Sequence, residues 1–178
     1  MGMWRTVQRT LILTLGPQAE AIAERLQERL ETRHGGLPVV DVLQMAVSGG
    51  NPGDTSLAEA WLTISHADHR YALTEREFRL EKGDEVAIYL LADLNNGQVL
   101  EAIEALVRKA QEAAYAALRV PAVATGFLLL PSTGGDGDME TGEEQALDPM
   151  GSSCSELGAL FAGGVYLLGV QLPTFIVN

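Results

Sequence analysis

The feature that most constrains the fold is a strand that leads directly into an amphipathic helix. "VAIYLLADL" (86–94) is a continuous apolar run, which is typical of a strand buried on both faces of a parallel sheet. From about Gln98 to Leu118, apolar side chains then recur at helical spacing. Because neighbouring parallel strands need a crossover of this kind, the segment predicts an α/β protein.

Strands and helices alternate elsewhere in the chain as well. "TLILTL" (10–15) predicts a buried strand, the helix after it ends at the glycines of "HGG" (34–36), and "LPVVDVLQM" (37–45) predicts the next strand. Further strand candidates are "AVATGFLLLP" (122–131), "GGVYLLGV" and "PTFIVN". The charged stretch 69–85 predicts an irregular surface excursion. We therefore expect one domain over residues 1–178, an α/β, three-layer Rossmann-like sandwich with a mostly parallel sheet.

The charge and composition exclude several classes of function. Twelve basic residues stand against 24 acidic ones, giving a net charge of −12. We expect no binding to nucleic acid or to anionic membranes, because both depend on clustered Lys and Arg. The single cysteine, Cys154, predicts neither a disulfide framework nor a Cys-based zinc site. Without a signal-peptide core or a membrane-length apolar run, the sequence predicts a cytoplasmic protein of bacterial type.

The loops after the strands are where α/β proteins bind phosphate. The first of them, "TLGPQAE" (14–20), contains only Gly16, and Thr14 and Ala19 occupy the positions where outer glycines would be expected. Pro17 removes one amide donor, although it suits the first position of a helix. No Gly-Lys-Ser/Thr sequence of the Walker type occurs in the chain. This loop therefore predicts a structural turn.

The order of segments over residues 9–132 resembles that of bacterial tubulin-like proteins. "RTLILTLGPQAEAIAERLQERLETRHGGLPVVDVLQM" is similar to their first strand, helix and second strand, and "ALTEREFRL" to the linker that follows. "VAIYLLADLNNGQVLEAIEALVRKAQEAAYAAL" is similar to their phosphate-loop strand and helix, and "TGFLLLPS" to the next strand. The resemblance implies the Rossmann-like fold of that family and its nucleotide, GTP or GDP.

The phosphate loop departs from the family's pattern. Tubulin-like proteins carry Gly-Gly-Thr-Gly-Ser-Gly there, whereas this chain has Asn95, Asn96, Gly97 and Gln98. Asparagine tolerates left-handed backbone angles, so a turn is kept, but close approach to phosphate is compromised. From the 178 residues we also expect no counterpart of the second domain that supplies the family's hydrolytic acidic residues. The resemblance thus implies a shortened, degenerate member.

Three functions from different classes follow, of which a small-molecule enzyme is ranked last and stays open because a fold alone does not fix its chemistry. The first is a non-enzymatic assembly or adaptor protein without a cofactor, which forms a homodimer or binds another protein. The alternative is a GTP- or GDP-binding protein with a non-standard phosphate loop made by Gly16, Asn95, Asn96 and Gly97, because asparagine side chains can donate to phosphate or read a guanine edge. The missing glycines favour the first.

For three other groups of polar residues we favour a structural interpretation over a functional one. Asp93 ends the central strand and is the best candidate for a functional carboxylate, but it also suits a cap for the following helix. His66 and His69 could share a metal, yet no third ligand is in register. The acidic stretch 136–144 lacks the glycine of a calcium loop, since Thr141 stands there. We expect a mobile loop around 132–150.

The C-terminal stretch 156–178 is almost uncharged, with Glu156 and Tyr166 as its only ionisable side chains. An apolar strand at a sheet edge has to be covered or paired. We therefore expect this stretch either to fill the core or to dock on a second copy. In both cases the residues predicted to be buried are Leu168, Val170, Phe175 and Val177.

Overall fold

The computed structural model describes residues 4–45, 54–81, 85–94, 99–130 and 160–169. The strands are β1 (Arg5–Val7), β2 (Thr10–Leu15), β3 (Val40–Met45), β4 (Phe78–Leu80), β5 (Val86–Asp93), β6 (Ala122–Leu130) and β7 (Val165–Gly169). The helices are α1 (Pro17–His34), α2 (Asp54–Ile64), α3 (His69–Glu75) and α4 (Val99–Leu118). None of these helices is long and apolar enough to span a bilayer.

In the described part of the chain, the main sheet has five strands in the order β3-β2-β5-β6-β7, and every neighbouring pair in it is parallel. The same residues form a second, two-stranded sheet from β1 and β4, which is also parallel. Helices pack on both faces of the main sheet, which is what parallel strands require to bury both of their faces. The prediction of an α/β, Rossmann-like sandwich with a mostly parallel sheet is confirmed.

The larger core lies between the sheet and helices α2 and α4. Alternate residues of the central strands point into it, among them Leu11, Leu13, Ile88 and Leu90, which are fully buried. Trp61 of α2 is also fully buried, and its indole Nε1 donates to the carbonyl of Ala110 on α4 at 3.2 Å. The two helices are therefore joined by a buried hydrogen bond as well as by apolar packing.

The smaller core lies under α1 on the opposite face of the sheet. Its buried members are Ile12, Ala19, Leu91 and Leu129. Only Ala19 and Ala23 of α1 are buried, so the helix contacts the sheet through small side chains. This face is consequently covered by a narrow strip of one helix in the described part of the chain.

Two local predictions are corrected by the structure. The charged stretch 69–85, expected to be irregular, forms α3 and β4, because Leu73 and Phe78 are buried and β4 pairs with β1. The strand predicted from residue 37 begins at Val40, whose amide bonds the Leu37 carbonyl in a turn that includes Pro38. The predicted acidic loop around 132–150, Cys154 and "PTFIVN" lie outside the described residues.

Helix α1 ends as predicted at two glycines, and a distant arginine bonds the carbonyls there. Gly35 and Gly36 take positive φ angles of 64° and 77°, which glycine adopts without strain. Nη1 of Arg76, just after α3, donates to the carbonyls of His34, Gly35 and Gly36 at 3.2, 2.8 and 2.6 Å. A cation at this end also complements the helix dipole, so Arg76 ties α1 to α3.

Replacing Arg76 with alanine is expected to lower the free energy of unfolding by about 1–2 kcal/mol. The charge of the guanidinium strengthens its hydrogen bonds, whereas the exposure of the side chain to solvent limits their contribution. Urea denaturation measures the change. Arg108→Ala is the matched control, because Arg108 is an exposed arginine that pairs with Glu104 one turn away, and such pairs contribute about 0.3–0.5 kcal/mol. Equal losses in the two variants would show that the three carbonyl contacts add nothing.

Candidate functional site

The carboxyl ends of β2 and β5 form the edge of the sheet where Rossmann-like proteins bind ligands. The two strands are neighbours in register, with Leu15 opposite Ala92. The next residues along the two strands, Gly16 and Asp93, therefore lie side by side at this edge. Gly16 also directly precedes α1, so Asp93 lies beside the N-terminal end of that helix.

Gly16 is required by its backbone angles and by its contact with Asp93. Its φ of 92° and ψ of 161° lie in a region that only glycine adopts readily. A Cβ atom at this position would lie 2.8 Å from Cβ and 3.6 Å from Oδ2 of Asp93. The glycine predicted as a possible phosphate contact thus has a structural reason, which is to let the chain pass a buried carboxylate.

The expectation that Asp93 caps the following helix stays a prediction. The described part of α4 begins at Val99, and residues 95–98, which lead from β5 to it, are outside the described residues. Asp93 is buried, and its carboxylate lies next to the residue before α1. A carboxylate near a helix N-terminus is stabilised by the helix dipole. Asp93 therefore lies where the dipole of α1 favours a negative charge.

The first turn of α1 is poorly suited to bind an anion. Pro17 at its start has no amide hydrogen, and Glu20 places a second acidic side chain in the turn. The amide of Glu20 is already bonded to the Gly16 carbonyl at 3.0 Å. With Asp93 beside it, the end of the helix that phosphate would need carries negative charge instead.

Of the four residues predicted for nucleotide binding, only Gly16 is placed. Asn95, Asn96 and Gly97 lie outside the described residues. The His66 and His69 rings are 5.8 Å apart; Nδ1 of His66 lies 3.4 Å from Oδ2 of Asp68, and Nδ1 of His69 lies 3.2 Å from the Ile64 carbonyl. Across the described ranges, no group of three His, Cys, Asp or Glu residues is arranged to hold a metal ion.

A row of aromatic side chains crosses β5, β6 and β7 on the α1 side of the sheet. The rings of Tyr89 and Phe127 are 5.9 Å apart, and those of Phe127 and Tyr166 stack at 5.2 Å with 16° between their planes. Tyr166 is 52% exposed and Leu168, on the same face of β7, is 41% exposed. Leu168 was predicted to be buried, and in the single chain that prediction is wrong.

One flank of α1 extends this row. Gln27 and Glu31 line a cavity with Val40 and Val42 of β3, so that side of the helix faces β3. Helical spacing places the exposed residues Ile22 and Leu26, one turn apart, on the opposite flank of α1, from which we infer that they lie on the side of β5 and β6. We call the combined surface the apolar face. It consists of Ile22, Leu26, Tyr89, Phe127, Tyr166 and Leu168.

The apolar face was missed because its residues come from four separate segments. Each aromatic residue alone is an ordinary strand residue, and only the register of β5, β6 and β7 brings the three rings together. The protein is thus a Rossmann-like α/β domain with two distinct surfaces. One is the acidic sheet edge at Gly16 and Asp93, which we call the ligand edge, and the other is the apolar face. No family model, curated protein or solved structure matches the chain.

Proposed function

We propose that this chain is a non-enzymatic assembly or adaptor domain on a reduced tubulin-like scaffold, and that the apolar face contacts its protein partner. The observation that carries the proposal is the exposure of Tyr166 and Leu168 at the sheet margin, next to stacked aromatic rings. Contiguous apolar surfaces of this kind mark sites of interaction with other molecules. Aromatic residues are enriched in protein–protein interfaces, which fits the composition of this surface.

The electrostatics of the ligand edge support an assembly role over nucleotide binding. A bound nucleotide would bring several negative charges to a helix end that already faces Asp93 and Glu20. The net charge of −12 adds long-range repulsion of the same sign. The apolar face itself carries no formal charge, so a protein partner meets it without this penalty.

Titration calorimetry with GTP, GDP and ATP tests the proposal. We expect no binding of any of the three in the micromolar range, because phosphate is repelled at the ligand edge. Micromolar binding of one of them would overturn the assembly role and favour the alternative of a GTP- or GDP-binding protein. In that case Asn96→Ala and Gly97→Val should abolish the binding if the non-standard phosphate loop holds the nucleotide.

A further inference from the structure

The two edges of the main sheet differ in how their main chain is protected. At the β3 edge, the amide of Val42 points away from β2 and bonds Oδ1 of Asp41 at 2.9 Å. Ala72 and Arg76 of the α3 region face the same strand across a cavity of about 350 Å³. A charged side chain that occupies the edge amide, with a helix alongside, is a recognised defence against strand pairing.

The β7 edge has neither defence within the described residues. The amide of Gly126 bonds the Gly164 carbonyl at 3.0 Å, and Gly126 is opposite Val165. In a parallel ladder this pattern leaves the main-chain groups of Val165, Leu167 and Gly169 pointing away from β6. Residues 160–169 include no Asp, Glu, Lys, Arg or Pro. Within the described residues, the outward side of β7 is therefore uncharged and not paired with another strand.

We propose that β7 pairs antiparallel with β7 of a second copy of this chain, across a two-fold axis at Leu167. This inference rests on the proposed function and names its partner. The register is the one that uses all three outward-pointing residues, because Val165 then pairs with Gly169 of the second copy and Leu167 with its own counterpart. The two five-stranded sheets become continuous across the axis.

The side chains of the apolar face fit this arrangement. Tyr166 falls opposite Leu168 of the second copy in a non-hydrogen-bonded pair, where side chains approach most closely. An aromatic residue against an aliphatic one across two strands is stabilising. The contact zone has no formal charges, and screening limits repulsion between the acidic surfaces to about 8 Å at physiological salt.

The pairing strand is short, and this sets the expected strength of the dimer. β7 has five residues, so the pair buries less than the ~1,200–2,000 Å² of a standard interface. We therefore expect a dimer that dissociates on dilution, with a dissociation constant on the order of micromolar. Its mass has to be measured over a range of concentrations rather than at one.

Light scattering across a concentration series tests the pairing. The wild-type mass should rise from 19.0 kDa toward twice that value, and Leu168→Asp should hold it at 19.0 kDa because the new charge lies at the strand edge. Leu62→Asp is the matched control, since Leu62 of α2 is 58% exposed and lies outside the apolar face. A wild-type mass fixed at 19.0 kDa, as expected if residues 170–178 occupy the edge instead, overturns the inference, as does equal behaviour of the two variants.

A cross-linking experiment keeps the inference testable if Leu168→Asp fails to fold. Tyr166→Cys and Leu168→Cys, each with Cys154→Ser, are purified separately and then oxidised alone and as a mixture. The predicted pair brings the two Cα atoms to about 4.5 Å, which a disulfide can span. The mixture should therefore give more linked dimer than either variant alone, and an equal yield in all three samples contradicts the register.

The two proposals fail in different ways. A chain that stays monomeric and binds no nucleotide overturns the pairing of β7 but leaves an adaptor role with a different protein. Micromolar nucleotide binding overturns the assembly role whatever the mass measurement gives.

Discussion

Replacing Trp61 with alanine is expected to lower the free energy of unfolding by about 3–5 kcal/mol, which is the usual cost of emptying a fully buried tryptophan site. The indole fills the space between α2, α4 and the sheet, and its Nε1 bonds the Ala110 carbonyl. The alanine variant loses both the packing of the indole and its hydrogen bond. Urea denaturation at one fixed protein concentration measures the change, since association would add to the apparent stability.

Two further variants separate the causes of that loss. Trp61→Phe keeps most of the apolar volume and removes the hydrogen bond, so it should cost about 1 kcal/mol from that bond plus a smaller packing loss. Leu62→Ala changes the neighbouring exposed residue of the same helix and should stay within about 0.5 kcal/mol of wild type. Similar losses at Trp61 and Leu62 would contradict the packing of α2 against α4 and the sheet.

Replacing Gly16 with alanine is expected to cost about 2–4 kcal/mol, from a strained backbone and a steric overlap together. The added Cβ would meet Cβ of Asp93 at 2.8 Å, and that atom is fixed by the β5 main chain. Denaturation in urea provides the measurement. Gly36→Ala is the matched control, because Gly36 has a φ of 77° with open space around it, and strain alone costs about 1–2 kcal/mol.

A double-mutant cycle isolates the contact between Gly16 and Asp93. Asp93→Gly removes the atom that the new alanine would strike, so the combined variant should lose less stability than the sum of the two single variants. Strict additivity would mean that the two residues do not touch. In that case the need for glycine at this loop would come from its backbone angles alone.

The sequence alone predicts the elements that carry a long, unbroken pattern. The strand before α4 and the helix itself were located within a residue or two, because an apolar run of nine residues and a helical stripe leave few alternatives. The segment 69–85 was missed because its structure depends on distant partners. The ring centroids of Phe78 and His34 are 5.6 Å apart, and Phe78 lies on β4, which pairs with β1.

The candidate site could be located from the sequence, but its chemistry could not. The sequence marks Gly16 and Asp93 as exceptional residues at strand ends, yet it gives no sign that they touch. The single glycine of the first loop favours a structural turn over a phosphate contact, but the sequence does not indicate that the neighbour of Gly16 is a carboxylate. The apolar face could not be predicted because it depends on how β5, β6 and β7 are aligned with one another. A shift of one residue in the pairing of any of these strands would turn its aromatic side chain, Tyr89, Phe127 or Tyr166, to the other face of the sheet.

The strand order has a consequence for how fast the chain folds. The central pair joins Thr10 of β2 to Ala87 of β5, so the middle of the sheet forms only after a long stretch of chain has closed into a loop. The unit β5–α4–β6 is far more local, and its two strands pair over eight residues, from Val86 with Ala122 to Asp93 with Leu129. Folding rates fall as contacts become less local. The unit β2–α1–β3 is equally local, since Thr10 pairs with Val40. We therefore expect these two units to form first and the joining of β2 to β5 to limit the folding rate.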